Sequence, residues 1–393
     1  MKKRVFAMLM AAVMAFSLVA CGNKTDNGGS GDAADTAETI KLGGVGPLTG
    51  GYANYGLSVQ HGAELAAKEI NAAGGVNGKQ MEVNFQDSQG DPQSAVSAYG
   101  KQMDDGMKVS LGATFSGETA SVVAAAKADK ILLLTPSASS VSAIADNDCA
   151  FRVCFSDPSQ GTASAKYIKD NSLATKVAVI YDSGNDYCKG LYDTFDAECK
   201  KLGIEIVTVQ TFTESTNTDF SAQISAIKNS GADLIFMPIY AADAAKILTQ
   251  AAQTKAFDGM VCFGCDGLDG LLTKIADPAN AEGVMLLTPF AADSSEENVQ
   301  KFVAAYKAAY NGETPDQFAA DGYDAIYTIA EAIKNAGLSS EDKDDFSARI
   351  VAAMTKITVK GVTGTMTWSA DGETSKDAKA MVIKDGVAVA FSK

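Results

Sequence analysis

Short apolar runs alternate with longer helix-like stretches along most of this chain, and this alternation constrains the fold more than any other feature. The runs are continuously rich in valine, isoleucine and leucine, which is typical of parallel strands that are buried on both faces. The predicted strands span residues 40–45, 80–85, 109–113, 131–134, 177–181, 204–209, 234–237, 260–263 and 284–287. A long series of strands and helices in alternation predicts an α/β protein with doubly wound parallel sheets.

Capping signals indicate where several of the intervening helices begin. A capping residue followed by proline is typical of a helix N-terminus. Four such pairs begin at Asp91, Asp157, Asp277 and Thr314. The C-terminal stretch differs, because residues 364–368 and 380–391 alternate in polarity around Asp-Gly turns. We expect antiparallel or edge strands there.

The first 38 residues predict export and a membrane anchor. Residues 1–20 combine a basic start with an apolar run that ends in small residues before Cys21, which is the pattern of a lipoprotein signal peptide. Residues 21–38 contain no aromatic and no large aliphatic side chain, which predicts a flexible tether. We therefore expect lipidation at Cys21 and localisation on the outer face of the cell membrane. An ordinary signal peptide with a chance Cys21 is the alternative.

Length and charge restrict the domain count and the partners. The 393 residues are enough for two domains of roughly 150 residues each. The formal net charge is −15, which argues against nucleic acid as a partner and against adhesion of the surface to anionic lipid. The predicted lipid, rather than electrostatic attraction, would hold the protein at the membrane.

Few residues match a catalytic, metal-binding or nucleotide-binding pattern. His61 is the only histidine, and G-x-S-x-G and H-E-x-x-H motifs are absent, so we predict neither enzyme activity nor a cofactor. Cys262 and Cys265 have zinc or redox spacing, but a second ligand pair is missing, so no metal site is expected. Residues 44–50 resemble a dinucleotide fingerprint with the wrong spacing, and we interpret them as a glycine-rich loop.

Six cysteines follow Cys21, and they do not define a disulfide pairing. Cys188 and Cys199 are expected on one helix, about 16 Å apart, which is too far for a bond between them. Free buried thiols and an unplaced bridge both remain open.

Small hydroxyl-bearing residues follow two neighbouring predicted strands, at positions 114–119 and 135–140. Ligands of open α/β sheets bind beyond the carboxyl ends of the strands, and helix N-termini offer free N–H groups to a carboxylate. Tyr187, Tyr240 and Asp266 follow strands in the second half of the chain. Together these residues predict a site for a small zwitterion, with its ammonium on Asp266.

Five ordered segments resemble the substrate-binding proteins of branched-chain amino acid ABC transporters, of the leucine/isoleucine/valine-binding type. The resemblance covers about residues 39–393. The segments are 40–83, 87–96, 111–121 with 134–140, 177–191 and 321–333. Each segment is weakly specific alone, and their common order makes the resemblance specific.

The resemblance implies a type I periplasmic-binding-protein fold, in which two doubly wound parallel-sheet lobes are joined by a three-segment hinge and close on a ligand. Lobe 1 would comprise residues 39–155 and 286–366, and lobe 2 would comprise residues 156–285 and 367–393. The three crossings would lie near residues 154–158, 283–290 and 364–370.

The implied function is an extracytoplasmic substrate-binding lipoprotein, a monomer that delivers an amino acid to ABC permease and ATPase subunits. A branched-chain or other apolar amino acid is expected. The alternative is a ligand-sensing protein of the same fold for an amide or another small polar metabolite.

The resemblance also assigns roles to individual residues. Ser116 and Ser139 would contribute hydroxyls to the ligand carboxylate, while backbone carbonyls of Thr114 and Ala138 would face its ammonium. Asp266 occupies the place of a usual glutamate. Tyr55 would wall the side-chain pocket, Tyr187 and Tyr240 would clamp the ligand, and Phe115 with Phe290 would narrow the pocket. The predicted ligand-binding set is Tyr55, Thr114, Phe115, Ser116, Ser137, Ala138, Ser139, Tyr187, Tyr240 and Asp266.

Overall fold

Five parallel strands form the first of the two large sheets. The structure, a computed structural model, describes residues 39–338 and 345–391, so the predicted signal peptide, Cys21 and tether lie outside the described residues. The spatial order of the strands is β2-β1-β3-β4-β5, and every neighbouring pair is parallel. The strands are β1 (Ile40–Gly46), β2 (Met81–Asp87), β3 (Val109–Ala113), β4 (Leu132–Thr135) and β5 (Ala150–Arg152).

The second sheet has seven strands in the order β14-β13-β10-β9-β8-β6-β7. Strands β10, β9, β8, β6 and β7 run parallel, while the C-terminal hairpin of β13 and β14 adds two antiparallel strands at the opposite edge from β7. The strands are β6 (Lys176–Asp182), β7 (Glu205–Phe212), β8 (Leu234–Met237), β9 (Val261–Gly264), β10 (Met285–Thr288), β13 (Lys379–Lys384) and β14 (Val387–Ala390). A separate hairpin pairs β11 (Val359–Gly361) with β12 (Gly364–Met366). The predicted α/β class with doubly wound parallel sheets is confirmed.

Ten α-helices cover the sheets. They are α1 (Ala53–Ala72), α2 (Pro92–Asp104), α3 (Ser116–Ala126), α4 (Asp157–Asp170), α5 (Asp186–Leu202), α6 (Ser221–Lys228), α7 (Ala241–Thr254), α8 (Glu297–Ala309), α9 (Gln317–Ala336) and α10 (Phe346–Met354) within the described ranges. Short 3-10 helices span Val141–Ile144, Glu214–Thr216, Asp266–Leu268, Leu271–Thr273 and Pro278–Ala281. Among the described residues, no helix is both long enough and apolar enough to cross a bilayer.

The predicted helix starts are only partly correct. Asp91 caps α2 by accepting the N–H of Ser94 at 2.7 Å, as expected. Asp157 instead is the first residue of α4, and its buried side chain does not cap the helix. Asp316, rather than Thr314, caps α9, because its carboxylate accepts the N–H of Ala319 at 2.9 Å.

Helices α1 and α9 cross at two glycines on one face of the first sheet. A methyl group on Gly62 would lie 1.9 Å from the carbonyl oxygen of Ala319, and one on Gly322 would lie 2.3 Å from that of Val59. The helix backbones therefore approach more closely than any larger residue allows. This contact places the N-terminal turn of α9 beside that of α1, at the cleft between the lobes.

Two of the predicted lobe boundaries need correction. The passage from β5 to α4 lies where the first crossing was expected. The boundary between residues 285 and 286, however, falls inside β10, which pairs with β9 and β13 of the second sheet. Since all four residues of β10 pair with β13, the second crossing follows Thr288.

The third crossing lies later than the boundary between residues 366 and 367. The indole N–H of Trp368 donates to the carbonyl of Arg152 at 2.8 Å, and the Arg152 N–H donates to the carbonyl of Gly372 at 3.0 Å. Residues 368–372 therefore pack on the first lobe. The chain passes to the second sheet between the bridge that pairs Thr374 with Trp368 and the start of β13.

Candidate functional site

A small cavity lies between the lobes, at the carboxyl ends of strands from both sheets. Eight of the ten predicted site residues line it, namely Thr114, Phe115, Ser116, Ser137, Ser139, Tyr187, Tyr240 and Asp266. Gly267 and Phe318 complete the lining. Residues that follow β3, β4, β8 and β9 meet here because parallel strands present their carboxyl ends at one edge of each sheet.

The remaining two predicted residues, Tyr55 and Ala138, lie beside the cavity. The Ala138 carbonyl accepts a hydrogen bond from Nη1 of Arg152 at 3.0 Å, and the Thr114 carbonyl accepts one from the Ser137 hydroxyl at 2.7 Å. Both carbonyls expected to face an ammonium are thus already engaged by a protein donor. Tyr55 packs its ring against Phe115, but its hydroxyl is directed to backbone groups of the second lobe.

The carboxylate of Asp266 accepts three side-chain hydrogen bonds, and only 2% of the residue is exposed. Asp266 starts a 3-10 helix that follows β9 after one intervening residue, Cys265. One carboxylate oxygen accepts from the Tyr187 hydroxyl at 2.7 Å. The other accepts from the side-chain amides of Gln160 at 2.8 Å and Gln317 at 3.3 Å. Three neutral donors therefore fix the orientation of the carboxylate without neutralising its charge.

No lysine or arginine within the described part of the chain forms an ion pair with Asp266. The two buried cations of this region are engaged elsewhere, since Arg152 pairs with Glu373 at 3.2 Å and Lys376 pairs with Asp321 at 3.4 Å. Burial raises the pKa of Asp266 to about 6, against the lowering effect of its hydrogen bonds. A buried carboxylate is costly unless it is paired, so this arrangement favours a cationic group from outside the protein.

Polar groups of the first lobe form the opposite end of the site. Helix α3 begins at Ser116, and its first turn has backbone N–H groups without an acceptor inside the helix. The Ser116 hydroxyl accepts the N–H of Ser140 at 3.1 Å. Ser139, which immediately precedes Ser140 in the chain, is also buried. Its carbonyl accepts the N–H of Asp157 at 2.9 Å. These donors and hydroxyls suit a carboxylate.

Aromatic rings form the apolar wall of the cavity. The Phe115 ring lies 4.8 Å from that of Tyr240, which stacks on Tyr187 at 5.0 Å. Tyr55 places its ring 4.8 Å from that of Phe318. These rings give this side of the small cavity an aromatic wall.

Phe290 does not narrow this pocket as expected. It follows β10 at the second crossing and packs edge-on against Phe302, 5.8 Å away. There it lines a separate, mostly apolar cavity with Leu271 and Val387.

The residues that raised the alternatives of a nucleotide site and a metal site have other roles in the structure. Asp87 accepts the Leu48 N–H at 2.8 Å and the Thr49 hydroxyl at 2.6 Å, so it closes the glycine-rich loop. All six cysteines of the described chain are free thiols, and Cys188 and Cys199 share α5 as predicted. Within residues 39–338 and 345–391 no cluster of three or more histidine, cysteine or acidic side chains could hold a metal ion.

Comparison with known proteins identifies the family of this chain. A family model described as periplasmic binding protein matches residues 39–387. The chain is 30% identical to the Leu/Ile/Val-binding protein homolog 3 of Brucella melitensis, over 88% of this chain and 91% of that protein. It is also 30% identical to a leucine-, isoleucine-, valine-, threonine- and alanine-binding protein of Pseudomonas aeruginosa, over 78% of this chain and 81% of that protein.

Solved structures show the same relationship. The branched-chain amino acid transporter substrate-binding protein LivJ from Streptococcus pneumoniae, in complex with isoleucine, superposes with a TM-score of 0.81. The two chains are 32% identical, and the match covers 90% of this chain and 99% of that one. The family resemblance read from the ordered sequence segments is confirmed. This chain belongs to the periplasmic binding protein family.

Proposed function

We propose that this protein binds an amino acid between its lobes, with the ligand ammonium on Asp266. The observation that carries the proposal is a buried carboxylate that is held by three neutral donors and has no cationic partner in the described chain. An ammonium supplies the missing positive charge. A neutral amide or urea supplies only hydrogen-bond donors, so it would bind less well.

The rest of the ligand follows from the two other walls of the cavity. The carboxylate would lie at the first turn of α3, near the hydroxyls of Ser116 and Ser139. The side chain would pack among the rings of Phe115, Tyr240 and Phe318. Relatives named for leucine, isoleucine and valine, and in one case also for threonine and alanine, support a ligand with an apolar or small side chain.

The function would be binding without chemistry. The ligand would contact Asp266, Tyr187 and Tyr240 of one lobe and Ser116 of the other, so it would favour the closed arrangement of the lobes. The closed form would deliver the amino acid to an ABC permease whose ATPase subunits supply the energy. Lipidation at Cys21 would keep the exported protein beside that permease.

A calorimetric titration with matched ligands tests the proposal. L-Leucine, L-valine and L-alanine carry both charged groups, 4-methylpentanoate lacks the ammonium of leucine, and leucinamide lacks its carboxylate. We expect saturable binding of at least one amino acid, and binding of both leucine analogues weakened by at least about tenfold. Tight binding of 4-methylpentanoate, or of amides but no amino acid, would contradict the role of Asp266 and favour the sensing alternative.

A further inference from the structure

The hydroxyl of Tyr55 links the two lobes directly. Tyr55 belongs to α1 of the first lobe and is fully buried. Its hydroxyl donates to the carbonyl of Gly267 at 2.7 Å and accepts the N–H of Ala241 at 2.8 Å. Both partners belong to the second lobe. One phenol oxygen therefore makes two hydrogen bonds across the cleft.

Tyr52, the residue immediately before α1, makes a second link between the lobes. Its hydroxyl donates to Oδ2 of Asp243 at 3.1 Å. Asp243 is buried, and the second lobe holds its other oxygen through Asn217 at 3.1 Å and Lys246 at 3.0 Å. Asp243 is thus fixed before Tyr52 reaches it, so the bond costs little additional ordering of the acceptor.

Both tyrosines dock on the first turn of α7. Ala241 is the first residue of that helix, so its N–H has no acceptor inside the helix and needs one from elsewhere. Tyr55 supplies the acceptor while the lobes are together, and water would replace it once they separate. These bonds therefore exist only in the closed arrangement. Neither tyrosine belongs to the lining of the ligand cavity.

We propose that Tyr52 and Tyr55, with Ala241, Asp243 and Gly267, form a clasp that sets the lifetime of the closed lobes. The two tyrosines are positioning residues: they act on ligand retention through closure, without a polar contact to the ligand. The proposal rests on the proposed binding function. Because the bonds form whenever the lobes close, with or without a ligand, they slow the reopening that releases the ligand and leave the open cleft that the ligand enters unchanged.

Stopped-flow kinetics on Tyr52→Phe, Tyr55→Phe and the double variant test the clasp. Phenylalanine keeps each ring and removes only the hydroxyl. We expect the dissociation rate of the bound amino acid to rise about fivefold to tenfold for Tyr55→Phe, as for the loss of buried hydrogen bonds, and less for Tyr52→Phe. The association rate should stay within about twofold, and the ranking of amino acids by affinity should not change.

The matched control is Tyr99→Phe. The Tyr99 hydroxyl donates to Asp129 at 2.7 Å inside the first lobe, so its loss removes a similar bond that does not cross the cleft. This variant should release ligand at the wild-type rate. Unchanged release from both Tyr52→Phe and Tyr55→Phe would overturn the clasp. A changed ranking of amino acids would also overturn it, because it would make Tyr55 a selectivity contact.

Small-angle scattering without ligand separates the clasp from the proposed function. The double variant should have a larger radius of gyration than the wild type, since it lacks bonds that hold the lobes together. This result does not depend on which ligand binds. An unchanged radius of gyration in the double variant, together with an unchanged distance between labels attached to the two lobes, would contradict the clasp. This holds even if amino acid binding is established.

Discussion

The hydroxyl of Tyr187 donates a 2.7 Å hydrogen bond to Asp266, which lies 79 residues further along the chain. The same hydroxyl accepts the N–H of Gly267 at 2.8 Å. A methyl group on Gly267 would lie 2.5 Å from this hydroxyl, so only glycine permits the contact. Tyr187 therefore orients the carboxylate and the backbone that carries it, while the negative charge of Asp266 remains available to a ligand.

Replacing Tyr187 by phenylalanine removes this orientation while preserving the ring that stacks on Tyr240. We expect amino acid affinity to fall about fivefold to tenfold, because one hydrogen bond to a buried carboxylate is lost. Isothermal titration calorimetry measures the change. Tyr181→Phe is the control, since Tyr181 stacks on Tyr192 within the second lobe. Equal affinities of Tyr187→Phe and wild type would show that Asp266 needs no help from Tyr187.

Ligand affinity should depend on the protonation of Asp266. Burial raises the pKa of this carboxyl to about 6, and the ammonium binds the ionised form. As the pH falls below 6, a growing fraction of the free protein must lose a proton before it binds. We expect affinity at pH 5 to be about tenfold weaker than at pH 7.5, one pH unit below the pKa costing a factor of ten. A pH-independent dissociation constant over this range would argue against the assignment.

Phe115 should limit the size of the ligand side chain. Its ring lies among those of Tyr52, Tyr55 and Tyr240, at centroid distances of 5.9, 5.6 and 4.8 Å. Phe115→Leu enlarges the apolar space, so affinity for leucine relative to alanine should increase by about tenfold, equivalent to one or two additional buried CH₂ groups. Phe290→Leu, which changes a ring outside the cavity, should leave this ratio unaltered. A ratio that moves equally in both variants would contradict the role of Phe115.

Unliganded protein should become less stable as the pH rises from about 4 to 7. Burial raises the pKa of Asp266 to about 6 and that of Asp321 to about 7, whereas an unfolded aspartate titrates near 4. Between these values the folded state holds protons that the unfolded state has released, so acidification favours folding. Above pH 7 both states are ionised and the benefit is lost.

Thermal unfolding at pH 5 and pH 7.5 measures this effect, with the higher melting temperature expected at pH 5. Asp321→Asn should reduce the difference between the two temperatures, since it removes one of the titrating groups. A melting temperature that rises steadily with pH would show that these carboxyls are ionised throughout.

Much of the fold follows from the sequence because buried parallel strands have a distinctive composition. The run from Leu234 to Met237 is entirely apolar, and it is fully buried between its neighbours in the second sheet. β5 was not predicted, since a strand of three residues that ends in arginine lacks this signal. The lobe boundaries at β10 and near Trp368 depend on which sheet each segment joins, a tertiary property that local pattern does not encode.

The structure brings the predicted residues that follow strands to the cleft, but two helix residues that contact Asp266 were not predicted. Asp266 lies two residues after the end of β9 and Tyr240 lies three residues after the end of β8, so the architecture places them at the cleft. Gln160 and Gln317 contact Asp266 from the first turns of α4 and α9, 106 and 51 residues away in sequence. Their polar side chains resemble ordinary exposed helix residues in sequence. The available signal was their position just after the Asp157 and Thr314 helix-start motifs, which point to the cleft.

The central claim is that Asp266 pairs with the ammonium of an amino acid. The most direct test is to measure dissociation constants by calorimetry for the wild type, Asp266→Asn and the control Asp321→Asn. Each protein is titrated with the tightest-binding amino acid and with the analogue of that amino acid that lacks the amino group. We expect Asp266→Asn to lose at least about 2 kcal/mol for the amino acid, roughly a thirtyfold weakening, because a buried ammonium is left unpaired. The analogue should bind Asp266→Asn at least as well as wild type, and Asp321→Asn should keep most of its affinity. Unchanged affinity of Asp266→Asn for every amino acid would contradict the claim.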